Sequence, residues 1–136
     1  MDIEVVAVKK GRNNIGTNYY WMREKLNPEE EYYKRIHIGK NSWGWVFNFE
    51  AHKDLGLTTA QAYKDFLKEG FIYDEYDRLI FYDEFWEMVE ETLKPMPDGE
   101  AKYVLEDPNE KSSYGKYLRD SSWVDEGFAF IDWEFR

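Results

Sequence analysis

Between Arg35 and Glu50 the chain reads RIHIGKNSWGWVFNFE, and bulky apolar residues recur at every second position on both sides of a short polar break. Ile36 and Ile38 alternate with His37 and Gly39, while Trp43, Trp45, Phe47 and Phe49 alternate with Gly44, Val46, Asn48 and Glu50. A period of two sends successive side chains to opposite faces of an extended backbone, which a helix cannot do. Two such arms joined by the polar link GKNS predict a β-hairpin with one apolar face. A chain with such a face must cover it with a second layer. The same Gly-Lys-Asn-Ser suggests a phosphate loop, but that loop needs a glycine five positions before the Gly-Lys pair, where this chain has Lys34. It also needs a helix afterwards, whose first N–H groups hold the phosphate. A strand follows instead, so the phosphate-loop reading fails on both counts.

The remainder supplies the second layer. IEVVAV and TNYYWMR, Thr17 to Arg23, are β-prone, and the Gly and Asn residues between them mark a turn. LTTAQAYKDFLKEG predicts a helix with Thr58 and Gln61 as a capping box, an apolar face through Ala62 and Phe66 together with Ala60, Tyr63 and Leu67, and Gly70 as its stop. A second helix is predicted from Tyr82 to Lys94, with Phe85, Met88, Val89 and Leu93 on one side and Pro95 and Pro97 ending it. FIYDEYDRLIF reads as two short extended pieces around a solvated acidic turn at Asp74 to Asp77, and GFAFIDWEF as a closing strand. Residues 95–122, rich in Pro, Gly, Ser and charge, form a long loop with one strand at KYVLE. The expectation is a single α+β domain over residues 1–136, an antiparallel sheet of four to six strands with two helices packed on one face.

Composition narrows the function. The absence of cysteine excludes disulfides and cysteine metal sites. No apolar run is as long as a membrane span, and MDIEVVAVKK lacks a signal-peptide layout, which predicts a soluble, cytoplasmic protein with no membrane partner. Residues 1–53 carry nine Lys/Arg against seven Asp/Glu, whereas residues 54–136 carry nine against twenty-one. Most of the surface therefore repels nucleic acid, and direct nucleic-acid binding is not expected. The acidic part could instead imitate nucleic acid toward a basic partner.

Four blocks, GTNYYWMRE, RIHIGKNSWGWVFNFE, FIYDEYDRLIFYDEFWEMVEE and DEGFAFIDWEF, resemble in order the consecutive blocks of a family of small proteins encoded in bacteriophage and prophage genomes. The family pattern runs Thr-Asn/Asp-Tyr-Tyr, then His-Ile-Gly-Lys-Ser-Ser-x-Gly-Trp-x-Phe, then a Glu-Tyr turn leading to Ser-x-x-Glu-Phe, and closes on Glu-Gly-x-x-Phe with a final Glu-Phe. Asn41 departs from the first Ser of Lys-Ser-Ser, and Phe81 replaces a helix-capping Ser. Some members have a cysteine-containing segment where this chain has NPEEEYYK, so any metal site they hold is absent here. The resemblance implies a phage-type protein acting in the cytoplasm of an infected host.

The candidate site lies at the hairpin tip. His37, Lys40 and Ser42 offer an imidazole, an ammonium and a hydroxyl to an anion, and Tyr19, Tyr20, Trp43 and Trp45 could stack a base. The competing reading makes His37 a hydrogen-bonded structural residue and the aromatic stripe simply core. His52 and Glu50 form no recognisable metal set, and no Ser or Thr has an oriented His. The sequence therefore predicts no enzyme and no cofactor. Together with the resemblance, this implies a phage-type non-enzymatic binding protein that counters a host defence system by sequestering a nucleotide-like ligand. Two alternatives stay open: an acidic inhibitor bound to a basic host defence protein, and a virion structural or assembly protein forming a homo-oligomer.

Overall fold

In the computed structural model of the protein, the residues described are 16–30, 34–100, 102 and 121–135. The strands expected at IEVVAV and KYVLE, and most of the 95–122 loop, lie outside them. In chain order the elements are β1 (Thr17–Met22), β2 (Ile36–Asn41), β3 (Asn48–Glu50), α1 (Ala60–Leu67), β4 (Phe71–Asp74), β5 (Leu79–Ile80), α2 (Tyr82–Glu91), β6 (Ser122–Asp125) and β7 (Phe128–Ile131). The strands form one seven-stranded sheet in the order β5-β4-β1-β2-β3-β7-β6. All neighbours are antiparallel except β3 and β7.

The fold is thus α+β with two helices, but the sheet is larger than the expected four to six strands and is mixed. The difference comes from the C-terminal hairpin. Glu126 and Gly127 both have positive φ, 51° and 87°, the backbone of a tight two-residue hairpin turn. That turn adds β6 to the closing strand, and β7 then docks beside β3 running in the same direction. Glu-Gly is a weaker hairpin signal than Asn-Gly, and the local pattern predicts no strand over Ser122–Asp125.

One face of the sheet is the core. Tyr19, Gly39, Phe49, Phe130 and Trp123 lie side by side across β1, β2, β3, β7 and β6. Trp21, Ile36, Ile72 and Ile80 form a second row. Ala60, Tyr63 and Leu67 of α1 and Phe85, Trp86 and Val89 of α2 join the same apolar cluster. Phe49 sits at its centre, with the rings of Tyr63, Phe130 and Trp86 at 5.0, 5.4 and 5.6 Å. Aromatic area here replaces the aliphatic bulk that the composition lacks.

Helix ends deviate from expectation for identifiable reasons. The cap of α1 is Thr59 rather than Thr58, its Oγ1 accepting from the Ala62 N–H at 3.1 Å. The first residue of α2 follows Phe81, which has no acceptor of its own, and Glu84 instead accepts from the Phe81 N–H at 3.2 Å. α2 ends at Glu91, before Lys94, because Thr92 is drawn inward. Its hydroxyl donates to Val89 O (2.6 Å) and accepts from the Phe47 N–H (2.9 Å), tying the helix end to the strand layer. Trp86, which the sequence pattern did not single out, is buried while Leu93 is exposed.

The acidic turn is also different from a solvated one. Asp74 is 2% exposed, and its carboxylate accepts from the N–H groups of Tyr76 (2.9 Å) and Arg78 (3.0 Å) and from Arg78 Nε (2.7 Å). Asp74 therefore organises the β4–β5 connection from inside. Among the described residues no helix is long and apolar enough to cross a membrane.

Candidate functional site

A β-bulge decides which side chains meet. Tyr19 pairs with Gly39 but Tyr20 pairs with His37, so Ile38 is an extra residue in β2. Simple alternation would place Lys40 with Ile36 and Ile38. The bulge instead lets Ile38 and Gly39 both turn toward the core and returns Lys40 to the face that carries His37. Gly39 makes this possible. A Cβ there would collide with Asn48 O and lie 2.6 Å from the Phe47 ring. On the face away from α1 and α2, Asn18, Lys40, Asn48 and Ala129 consequently stand in one row across four strands. Tyr20 and His37 stand in the next.

His37 anchors this polar row. It is 1% exposed, with Nδ1 2.7 Å from Glu50 Oε1 and Nε2 2.8 Å from Asn18 Oδ1. Asn18 Nδ2 donates to Glu75 Oε1 at 3.3 Å, which turns its Oδ1 toward the imidazole. Both ring nitrogens therefore face acceptors, and the imidazolium is the form that satisfies both. His52 Nε2 donates to His37 O at 2.7 Å and lies 3.7 Å from Glu50 Oε2. Tyr63 donates from the opposite side to Glu50 O at 2.6 Å, and burial raises its pKa well above the usual phenol value, with the Glu50 charge adding to the shift. The ring of Tyr20 packs 5.3 Å from His37 beneath the Arg35 guanidinium, and Phe135 meets His37 edge-on at 5.1 Å.

Beside this network is a cavity of about 180 Å³ lined by Lys40, Ser42, Trp45, Asn48, Ile131, Trp133 and Phe135. Lys40, Asn48 and Ile131 rise from the sheet, Ser42 and Trp45 come from the loop after β2, and Trp133 and Phe135 from the segment after β7. Gly16 backs the Lys40–Ser42 corner, where a Cβ would collide with Asn41 O and Ser42 Oγ and lie 2.9 Å from Lys40 Cε. Lys40 is the one charged residue among these lining residues. Asn48 is 8% exposed, and its Nδ2 donates to Val46 O at 3.1 Å. Its Oδ1 has no hydrogen-bond partner among the described residues, an omission that costs about 1–3 kcal/mol when the group is sealed from water.

Three of the seven predicted site residues, Lys40, Ser42 and Trp45, converge on this cavity. The other four do not. Tyr19 faces the core, against Phe47 and Phe85 at 5.9 and 5.7 Å. Tyr20 and His37 are buried in the neighbouring network and fit the structural reading that competed with the ligand reading. Trp43 is 77% exposed and points elsewhere, into a groove with Glu91, Pro95 and Met96. The reason is that the second hairpin arm is not extended from Trp43 onward. Only Asn48–Glu50 is strand, the Trp45 N–H bonds Ser42 O at 3.0 Å, and Gly44 turns the chain with φ of 84°. Asn48, Ile131, Trp133 and Phe135 were missed. The one signal for Asn48 was an amide held between two phenylalanines, whereas Trp133 and Phe135 depend on the parallel docking of β7.

Chemically the cavity offers a cation, a hydroxyl and flat apolar walls. His37, with both nitrogens engaged, is not poised as a general base for Ser42. Among the described residues no group of three or more His, Asp or Glu side chains could hold a metal ion. No protein-family model matches this sequence, and no curated protein or solved structure matches it either.

Proposed function

We propose that the protein is a non-enzymatic binding protein that holds a nucleotide-like small molecule on the sheet face away from its helices. The observation that carries this reading is the convergence of Lys40, Ser42 and Trp45, contributed by a bulged strand and its loop, on one cavity with Trp133 and Phe135. Lys40 and Ser42 suit a phosphate or other anionic group, and the rings suit a base, each stacked base contributing about 1–3 kcal/mol. The formal charge of −10 does not oppose this, because at physiological ionic strength charges beyond about 8 Å are largely screened and Lys40 acts at contact distance. Binding needs no turnover. The phage resemblance extends the proposal to an infected host's cytoplasm, where removing a nucleotide signal would blunt a defence system.

Calorimetric titration with cyclic nucleotides and ADP-ribose derivatives tests the reading. One or more should bind, and Lys40→Ala should weaken that binding at least about tenfold without altering the circular dichroism spectrum. Absence of heat across the panel, or full affinity in Lys40→Ala, would overturn it.

The acidic-inhibitor reading is favoured by a different observation. α2 carries Asp83, Glu84, Glu87, Glu90 and Glu91 on its exposed side and no Lys or Arg. Binding to a basic partner through these residues would fall steeply as salt rises, whereas stacking in the cavity would persist.

A further inference from the structure

We infer that the cavity selects, among nucleotide-like molecules, those whose ring presents an N–H donor, and that Asn48 is the residue that reads it. This deepens the binding proposal and rests on it. Asn48 is more than nine-tenths buried, and its carboxamide donates from Nδ2 to Val46 O. The oxygen left over lacks a partner among the described residues, although Asn48 lines the cavity. Native proteins leave few buried acceptors in that condition, and a binding role is one physical reason for keeping one. The oxygen is sealed from solvent, so reading a donor requires the carboxamide to turn, which the soft amide torsion of asparagine permits.

The other walls define what accompanies that donor. Trp45, Trp133, Phe135 and Ile131 supply flat or apolar surface, and Lys40 faces Asn48 across the β2–β3 pairing. A volume of about 180 Å³ is below the roughly 300–1,000 Å³ of sites that engulf drug-sized ligands. It therefore accommodates one heterocycle and leaves the rest of the molecule at the mouth. The ligand class that fits is a nucleoside phosphate whose base carries an amino or lactam N–H on the inserted edge, with its anionic group toward Lys40 and Ser42. A site built to accept a hydrogen bond rejects an analogue lacking the donor more strongly than an apolar pocket rejects a change in size.

The experiment compares adenosine 5′-monophosphate with purine riboside 5′-monophosphate, which lacks only the exocyclic amino group, by calorimetry on the unmodified protein. The adenosine compound should bind at least about tenfold tighter. In Asn48→Leu, shown folded by circular dichroism, the two should bind within about twofold of each other. Equal affinities in the unmodified protein would overturn the selectivity while leaving the binding proposal standing. Failure of both compounds, with other nucleotides binding, would overturn it too, and failure of every nucleotide would remove both.

Discussion

Glu50→Gln is the perturbation that best isolates the charge holding this sheet face together. The substitution keeps the shape and a hydrogen-bonding end but removes the negative charge 2.7 Å from His37 Nδ1. His37 is 1% and Glu50 7% exposed, so solvent cannot replace the lost partner. Removing one member of a buried, hydrogen-bonded ion pair costs about 3–5 kcal/mol, largely because the other charge is stranded. A domain of this kind has about 5–15 kcal/mol of stability in all, so the variant should be severely weakened. His37→Gln/Glu50→Gln should recover part of the loss, because it leaves two neutral amides able to bond each other and Asn18. The sum of the single-variant losses should exceed the double-variant loss by at least about 1.5 kcal/mol. Urea unfolding followed by tryptophan fluorescence and circular dichroism measures all three variants. A loss below about 1 kcal/mol for Glu50→Gln, with an additive double variant, would refute the imidazolium–carboxylate assignment.

Tyr63 gives a prediction at alkaline pH. Its folded-state pKa is raised by burial and then by Glu50, so above about pH 10 the unfolded chain loses a phenol proton that the folded chain keeps. Stability is therefore intact below that pH and falls above it by up to about 1.4 kcal/mol per pH unit from this residue. Tyr63→Phe should flatten that decline in pH-dependent urea melts. Gly39→Ala should cost about 1–3 kcal/mol, because the new methyl meets the Asn48 carbonyl and the Phe47 ring in a packed interior. It should also perturb the bulge that aims Lys40, so thermal melts and ligand affinity should fall together.

The architecture was legible in the sequence wherever a pattern is local. The extended, β-prone character of TNYYWM and FAFI and the period near 3.6 in AQAYKDFL and YDEFWEMVEE are properties of neighbouring residues, and those elements formed where expected. What was not legible depends on partners distant in sequence. The β3–β7 pairing joins residues about eighty positions apart and sets the strand count. The bulge at Ile38 depends on how β1 lies against β2, and it moved Lys40 to the other face of the sheet. For the site, Lys40, Ser42 and Trp45 could be chosen by chemical type near a turn, but no local rule distinguishes Trp45, beside the cavity, from Trp43, which Gly44 swings into solvent. His37 misled for a related reason. Its imidazole is a plausible anion ligand in sequence, and only the convergence of Asn18 and Glu50 from two other strands commits both of its nitrogens.

The six tryptophans provide the most direct test of where a ligand sits. Each indole N–H gives its own signal in an amide-correlation NMR spectrum of uniformly ¹⁵N-labelled protein, assignable by single Trp→Phe variants. On addition of adenosine 5′-monophosphate the Trp45 and Trp133 signals should move together and saturably, while Trp21 and Trp86, buried on the helix-covered face, stay in place. Saturable movement at Trp43 with Trp45 and Trp133 unchanged would contradict the cavity assignment and place the binding surface at the end of α2.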